Sequence, residues 1–261
     1  MAKLDDLIED LVTANHVLAK LGIVDSFGHI SVRHPDRPDR FFLSCSRAPE
    51  RVKRDDILEF NLECEVIDAK GKQLYTERPI HGGAYQARPD VMSVIHNHSP
   101  GVVPYGITGH KLKPLMHMCA TIGHEVPIWD QHTKFGDTDL LVRTMDQGRD
   151  LAKSIGSKGG VALMRGHGFA SAARSIIEVV RMSVYLPRNA RALMAAKVLG
   201  GEITYLSKGE IDARNAGYSP YSNETWRAWE YWANKAGCGH MLTRPDGGQV
   251  HVHKHEHDHK K

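Results

Sequence analysis

The stretch Val94-Ile95-His96-Asn97-His98-Ser99, VIHNHS, decides how this chain is read. It closes the apolar run VMSVIHNH (91–98), whose β-branched residues predict a buried strand. Side chains two apart on a strand share a face, with Cβ atoms roughly 7 Å apart. His96 and His98 are therefore spaced to meet at one divalent ion, or to serve as two hydrogen-bonded core or surface histidines. A second run, GVALMRGHGF (160–169), also reads as a buried strand, closed by Gly166 and Gly168 around His167. Glycine there permits a sharp turn or a close backbone approach. If the two strand ends lie side by side, His167 joins His96 and His98. Three imidazoles leave coordination positions open, as catalytic metal sites do. Upstream, Glu77 in YTERPIHGGAYQARPD (75–90) precedes a short helix over 78–88 that leads into the histidine strand. It reads as a fourth ligand, a general acid/base, or a carboxylate favoured by the helix dipole. His81, one turn later, reads as a support behind the metal ligands or a plain helix-face histidine.

Outward from these motifs, Leu4, Leu7, Ile8, Leu11, Val12, Leu18 and Leu21 mark an amphipathic first helix stopped at Gly22. HISVRH, RFFLSC and ILEFNLECEVID predict strands. Residues 138–155 predict a helix, and 174–199 a long helix that Pro187 kinks or divides. A last helix near 222–236 carries Trp226, Trp229 and Trp232, expected to pack inside the chain or against a neighbouring subunit. The pattern is α/β: a mixed or antiparallel central sheet flanked by helices. One domain is read over 1–240, and 241–261 as a flexible tail whose His251, His253, His255, His257 and His259 bind metals adventitiously.

Composition excludes several classes. Of 261 residues, 41% are hydrophobic and 25% charged, as in globular proteins. A net charge of +3 is no nucleic-acid footprint. Cys45, Cys64, Cys119 and Cys238 are scattered, which argues against a zinc ribbon or disulfide framework and suits a reducing cytoplasm. No segment approaches the roughly 20 apolar residues of a membrane helix. The acidic N-terminal segment is not a signal peptide. GSKGG (156–160) has the spacing of neither a dinucleotide fingerprint nor a P-loop, so no organic cofactor is expected.

ERPIHGGAYQARPDVMSVIHNHSP, followed about seventy residues later by LMRGHGF, resembles the class II aldolase/adducin family from the first helix to about residue 205. The resemblance implies a three-layer fold and one divalent ion per subunit on His96, His98 and His167, with zinc fitting the ligands and manganese or iron as alternatives. It puts Glu77 in the position of the aldolases' catalytic glutamate. It also implies a homotetramer with active sites at subunit boundaries. The departures bear on substrate. His29 in GHIS replaces the asparagine of phosphate-binding members, LSCSRAPERV (43–52) replaces a Thr/Gly-rich loop, and Tyr75-Thr76 replaces two serines. These changes argue against a sugar phosphate. His117 stands near the place of an aldolase tyrosine that protonates across the interface. Together with SRAPERV and HMCATIG, they look most like the decarboxylase branch, which acts on hydroxylated aromatic or heteroaromatic dicarboxylates.

Aldol cleavage and decarboxylation share one difficulty: electrons are left on carbon when a C–C bond breaks. A Lewis acid on an adjacent oxygen lets that charge become an enolate. The ring carbon then needs a proton donor, with Glu77, His29 and His117 as candidates. A small-molecule dicarboxylate needs cations and donors, and Arg47, Arg78, Arg165 and Ser44 lie within the motifs. An aldolase for an unphosphorylated hydroxy-keto acid and a non-catalytic adducin-like module are the competing readings.

Overall fold

The structure, a computed structural model, describes residues 4–156 and 160–242. Apart from residues 241 and 242, the predicted tail lies outside the described residues. Helix α1 (Leu4–Lys20) buries the apolar stripe read from the sequence. It is followed by β1 (His29–Arg33), β2 (Arg40–Ser44), β3 (Ile57–Asn61), α2 (Pro79–Ala87), β4 (Ser93–Asn97) and α3 (Val103–Thr108). Then come β5 (Ile128–Trp129), α4 (His132–Phe135), α5 (Met145–Ile155), β6 (Val161–Met164), β7 (Gly168–Ala173), α6 (Ile176–Leu199), α7 (Lys208–Asn215) and α8 (Asn223–Lys235).

The strands form one sheet in the order β3-β2-β1-β4-β7-β6-β5. Every pairing is antiparallel except β5 with β6. The two-residue period of the strands divides the core in two. Ile30, Val32, Ile95 and Phe169 pack with α1, α6 and α8 on one face. Val94, Ala162, Ala170 and Ala172 pack with α2 and α5 on the other. The expected three-layer α/β fold with a mostly antiparallel sheet is what the chain adopts. Trp226, Trp229 and Trp232 are buried in this chain's own core beside α1 and α6.

Three local expectations are corrected. The helix predicted over 138–155 begins only at Met145, because Thr144 forms a capping box with Gln147. Leu140, inside the predicted span, has φ 63°. The run 160–169 is not one strand but the turn of a hairpin. β6 ends at Met164, the chain reverses through Arg165-Gly166-His167, and β7 begins at Gly168. The small residues of GFASAA hid β7 from a reading by apolar periodicity. Pro187 does not divide α6, which runs unbroken through it. Burial of α6 from Ile176 to Leu193 holds both halves in one packed layer.

Candidate metal centre

Three adjacent strands deliver the histidines. In the β1–β4 register His29 faces His96, so both side chains lie on the α2 side of the sheet. His98 follows one residue beyond the end of β4. The β6–β7 turn sets His167 beside them because β7 pairs with β4, with Phe169 opposite Asn97. Glycine is required at 168: a Cβ there would lie 2.0 Å from the Asn97 carbonyl oxygen. Glu77 enters from the segment before α2. The late start of α5 leaves the Val142 N–H outside a helix, and it donates to Glu77 Oε1 at 2.9 Å.

The four side chains converge. His96 Nε2 and His98 Nε2 are 3.1 Å apart, and His98 Nε2 and His167 Nε2 2.9 Å. Glu77 Oε2 lies 3.3 Å from His96 Nε2, 3.5 Å from His167 Nε2 and 4.0 Å from His98 Nε2. All four ligand atoms fall within 4.8 Å of one another. Ligands on a tetrahedral zinc at 2.0–2.1 Å stand about 3.4 Å apart, so this donor set fits a single ion. Three imidazole nitrogens and one carboxylate oxygen suit zinc or another borderline divalent metal.

The surroundings orient the ligands. His96 Nδ1 lies 3.1 Å from the Phe169 carbonyl, which holds the proton on Nδ1 and turns Nε2 to the centre. His98 Nδ1 lies 3.5 Å from Asp25, which also accepts the N–H groups of Phe27 and Gly28. Burial raises the Glu77 pKa, but the facing His96 and His167 outweigh it and hold the carboxyl well below its ordinary range. Burial, then His96 and His167, lower the pKa of His98. His29 is buried, its ring 5.3 Å from His96 and 4.6 Å from Tyr75. Burial, His81 and His96 keep its pKa well below normal. His81 touches His29, not the cluster: its Nε2 is 2.7 Å from His29 Nδ1.

The other predicted site residues are dispersed. Ser44 is buried and donates to the Tyr75 hydroxyl at 3.4 Å. Arg47 pairs with Asp56 at 3.2 Å. Arg78 donates to the carbonyls of Cys64 and Tyr75 and ties down the approach to α2. Arg165, beside His167 in the turn, pairs with Asp130 at 2.7 Å and is partly exposed. His117 is exposed on a short 3-10 helix, His117–Ile122, that packs on α6 and α7. Sequence reasoning missed Asp25, whose single carboxylate in a loop carries no periodic signal. It also missed Phe27, an exposed ring 6.3 Å from the His98 ring.

Fold and site together define a protein that gathers three histidines and a glutamate at the ends of a mixed sheet, in position to hold one cation. The chain belongs to the Class II Aldolase and Adducin N-terminal domain family, which matches residues 9–194. It is 32% identical over 258 residues to decarboxylase tropJ of Talaromyces stipitatus, covering 90% of this chain and 96% of that one. It is 26% identical over 234 residues to 3,4-dihydroxyphthalate decarboxylase of Arthrobacter keyseri, covering 84% and 90%. A solved aldolase II superfamily protein from Pseudomonas syringae superposes with a TM-score of 0.75 at 16% identity, over 93% of this chain and 97% of that one. Both of these relatives are named decarboxylases, which supports a lyase activity.

Proposed function

We propose that the protein is a divalent-metal-dependent carboxy-lyase that removes CO2 from an ortho-hydroxy aromatic or heteroaromatic dicarboxylate. The observation that carries this reading is the Glu77/His96/His98/His167 cluster, found in a chain whose relatives include named decarboxylases. A divalent ion on the three histidines supplies a Lewis acid for the oxygen charge that develops as the C–C bond breaks. Glu77, held ionised, accepts the proton of the substrate hydroxyl and returns it to the ring carbon that loses CO2. The net reaction takes up one proton from water. Arg165 exchanges its partly exposed pairing with Asp130 for a substrate carboxylate. Phe27 offers an aromatic face next to His98.

The site is proposed to be completed by a second subunit of a homotetramer, with His117 reaching in from the neighbour. Support comes from His117 itself, which is exposed on a 3-10 helix that packs on α6 and α7. Ser44, Arg47 and Arg78 are assigned to shaping the substrate side through Tyr75, which each of them contacts. A cytoplasmic catabolic role fits four reduced, buried cysteines.

The test is CO2 release from a panel of dihydroxyphthalates and hydroxypyridine dicarboxylates. The protein is stripped with chelator and reloaded with zinc, manganese or iron, with segment 247–261 removed so that its histidines do not bind the added ion. The expected result is metal-restored CO2 release. Release of an aldehyde or pyruvate from a hydroxy-keto acid would replace the reading with an aldolase. A folded protein that binds no metal would replace it with a non-catalytic module.

A further inference from the structure

Behind the metal cluster, between the sheet and α2, four buried side chains form a hydrogen-bonded line. His29 Nδ1 is 2.7 Å from His81 Nε2, and His81 Nδ1 is 2.6 Å from Ser31 Oγ. Ser31 Oγ is 2.7 Å from the Tyr85 hydroxyl. All four residues are 2% exposed or less. β1 supplies His29 and Ser31, two apart on one face of the strand. α2 supplies His81 and Tyr85, four apart on one face of the helix. The spacing matches across the interface, so the line is built by two elements in register.

Counting hydrogens gives the line a direction. The Tyr85 hydroxyl has one hydrogen to donate, and among the described residues its side-chain hydrogen-bond partner is Ser31 Oγ. Its other polar neighbour, the Val94 N–H, is a donor and takes no hydrogen from it. Tyr85 therefore donates to Ser31. Ser31 has spent one acceptor position on Tyr85 and donates its own hydrogen to His81 Nδ1. A neutral His81 that accepts at Nδ1 carries its proton on Nε2 and donates it to His29 Nδ1. His29 in turn carries its proton on Nε2, the nitrogen not committed to His81. The opposite polarity leaves the phenol hydrogen without an acceptor among the described residues in a closed core, which is disfavoured. Burial, with no carboxylate in the line, favours the neutral form of both imidazoles.

We infer that Tyr85, Ser31 and His81 are positioning residues that hold His29 as the Nε2–H tautomer, a neutral hydrogen-bond donor for a carboxylate or phenolate oxygen of the substrate. The inference rests on the proposed acid substrate for its purpose, and on the hydrogen count alone for its geometry. A neutral N–H with a preset direction stabilises charge on oxygen without giving up its proton. His29 is then a substrate donor, and the proton delivered to carbon comes from elsewhere. It follows that the site selects an anionic oxygen at this position and rejects a substrate that offers a hydrogen there.

Neutron diffraction from deuterium-exchanged crystals of the full chain tests the geometry without substrate. Deuterium is expected on Nε2 of both His29 and His81, and on Ser31 Oγ directed at His81. Deuterium on His29 Nδ1 overturns the inference. The role is tested with Tyr85→Phe and Ser31→Ala, each checked for folding by thermal melt and for unchanged metal content. On a substrate of the CO2 panel, both are expected to lower kcat/KM about tenfold or more. Ser31→Ala is also expected to split the His29 deuterium between its two nitrogens. Folded variants with wild-type kcat/KM would refute the positioning role. Absence of CO2 from every acid would remove the decarboxylase reading, and the deuterium positions would still decide the line's direction.

Discussion

His167 reaches the cluster from a tight turn, while His96 is anchored in a central strand. That turn is possible because Gly168 lets two backbones touch where any Cβ would collide with Asn97. The motif was legible because ligand chemistry demands particular residues at particular spacings: His-x-His on one strand, and His-Gly at a distance. Glu77 was legible as a charge beside a helix, but only the fold turned its Oε2 toward the three imidazoles. Asp25 and the line through Ser31 and Tyr85 were not legible as partners, since contacts between residues about fifty to seventy positions apart leave no local pattern. His167→Ala removes one of the three nitrogen donors of the proposed metal site. Metal content is expected to fall below one ion per chain and turnover to drop by about 10³-fold, the worth of a Lewis acid contributing several kcal/mol. Metal analysis and CO2 assay of the tail-less variant check this, and full activity would reject the three-histidine site.

Two helices hold Glu77 in place. α2 follows it directly, and α5 crosses α2 at glycines. A Cβ on Gly148 would stand 2.1 Å from the Pro79 carbonyl oxygen, and one on Gly83 would stand 2.4 Å from Gly148. Gly148→Ala therefore pushes the start of α2, and Glu77 with it, away from the sheet. Overpacking of this kind costs about 1–3 kcal/mol. The melting temperature is expected to fall by about 2–12 °C, using ~2–4 °C per kcal/mol for a chain of this class, and metal affinity to weaken as well. Gly209→Ala, in the open first turn of α7 with no atom closer than 3.9 Å, is the matched control. Its melting temperature is expected to stay level or rise slightly. Equal losses in both variants would show that the α2–α5 contact has no special role. The helix–helix contact was hidden in the sequence, where glycine in a helix reads as weakness rather than as close approach. The Thr144–Gln147 capping box was in plain view and marks the true start of α5 better than the apolar residues before it.

Taken whole, the molecule carries its cluster at strand ends on the side of the sheet faced by α2. His117 stands exposed on a separate 3-10 helix, away from that group. If sites are shared between subunits, mixing inactive His117→Ala chains with inactive His96→Ala chains is expected to restore part of the activity. Some sites in the mixture then combine an intact cluster with an intact His117. Verified mixed oligomers with no recovery would place all the chemistry within one chain. The α/β class, the family and the candidate ligand set were open to reading from residues alone, because periodicity and the residue types that hold metals are local properties of the chain. Which histidines face which, the direction of the hydrogen-bonded line behind His29, and the partners of the arginines were decided only by the tertiary structure. They depend on strand order and register, and these bring β1, β4 and β7 side by side from positions as much as about 140 residues apart.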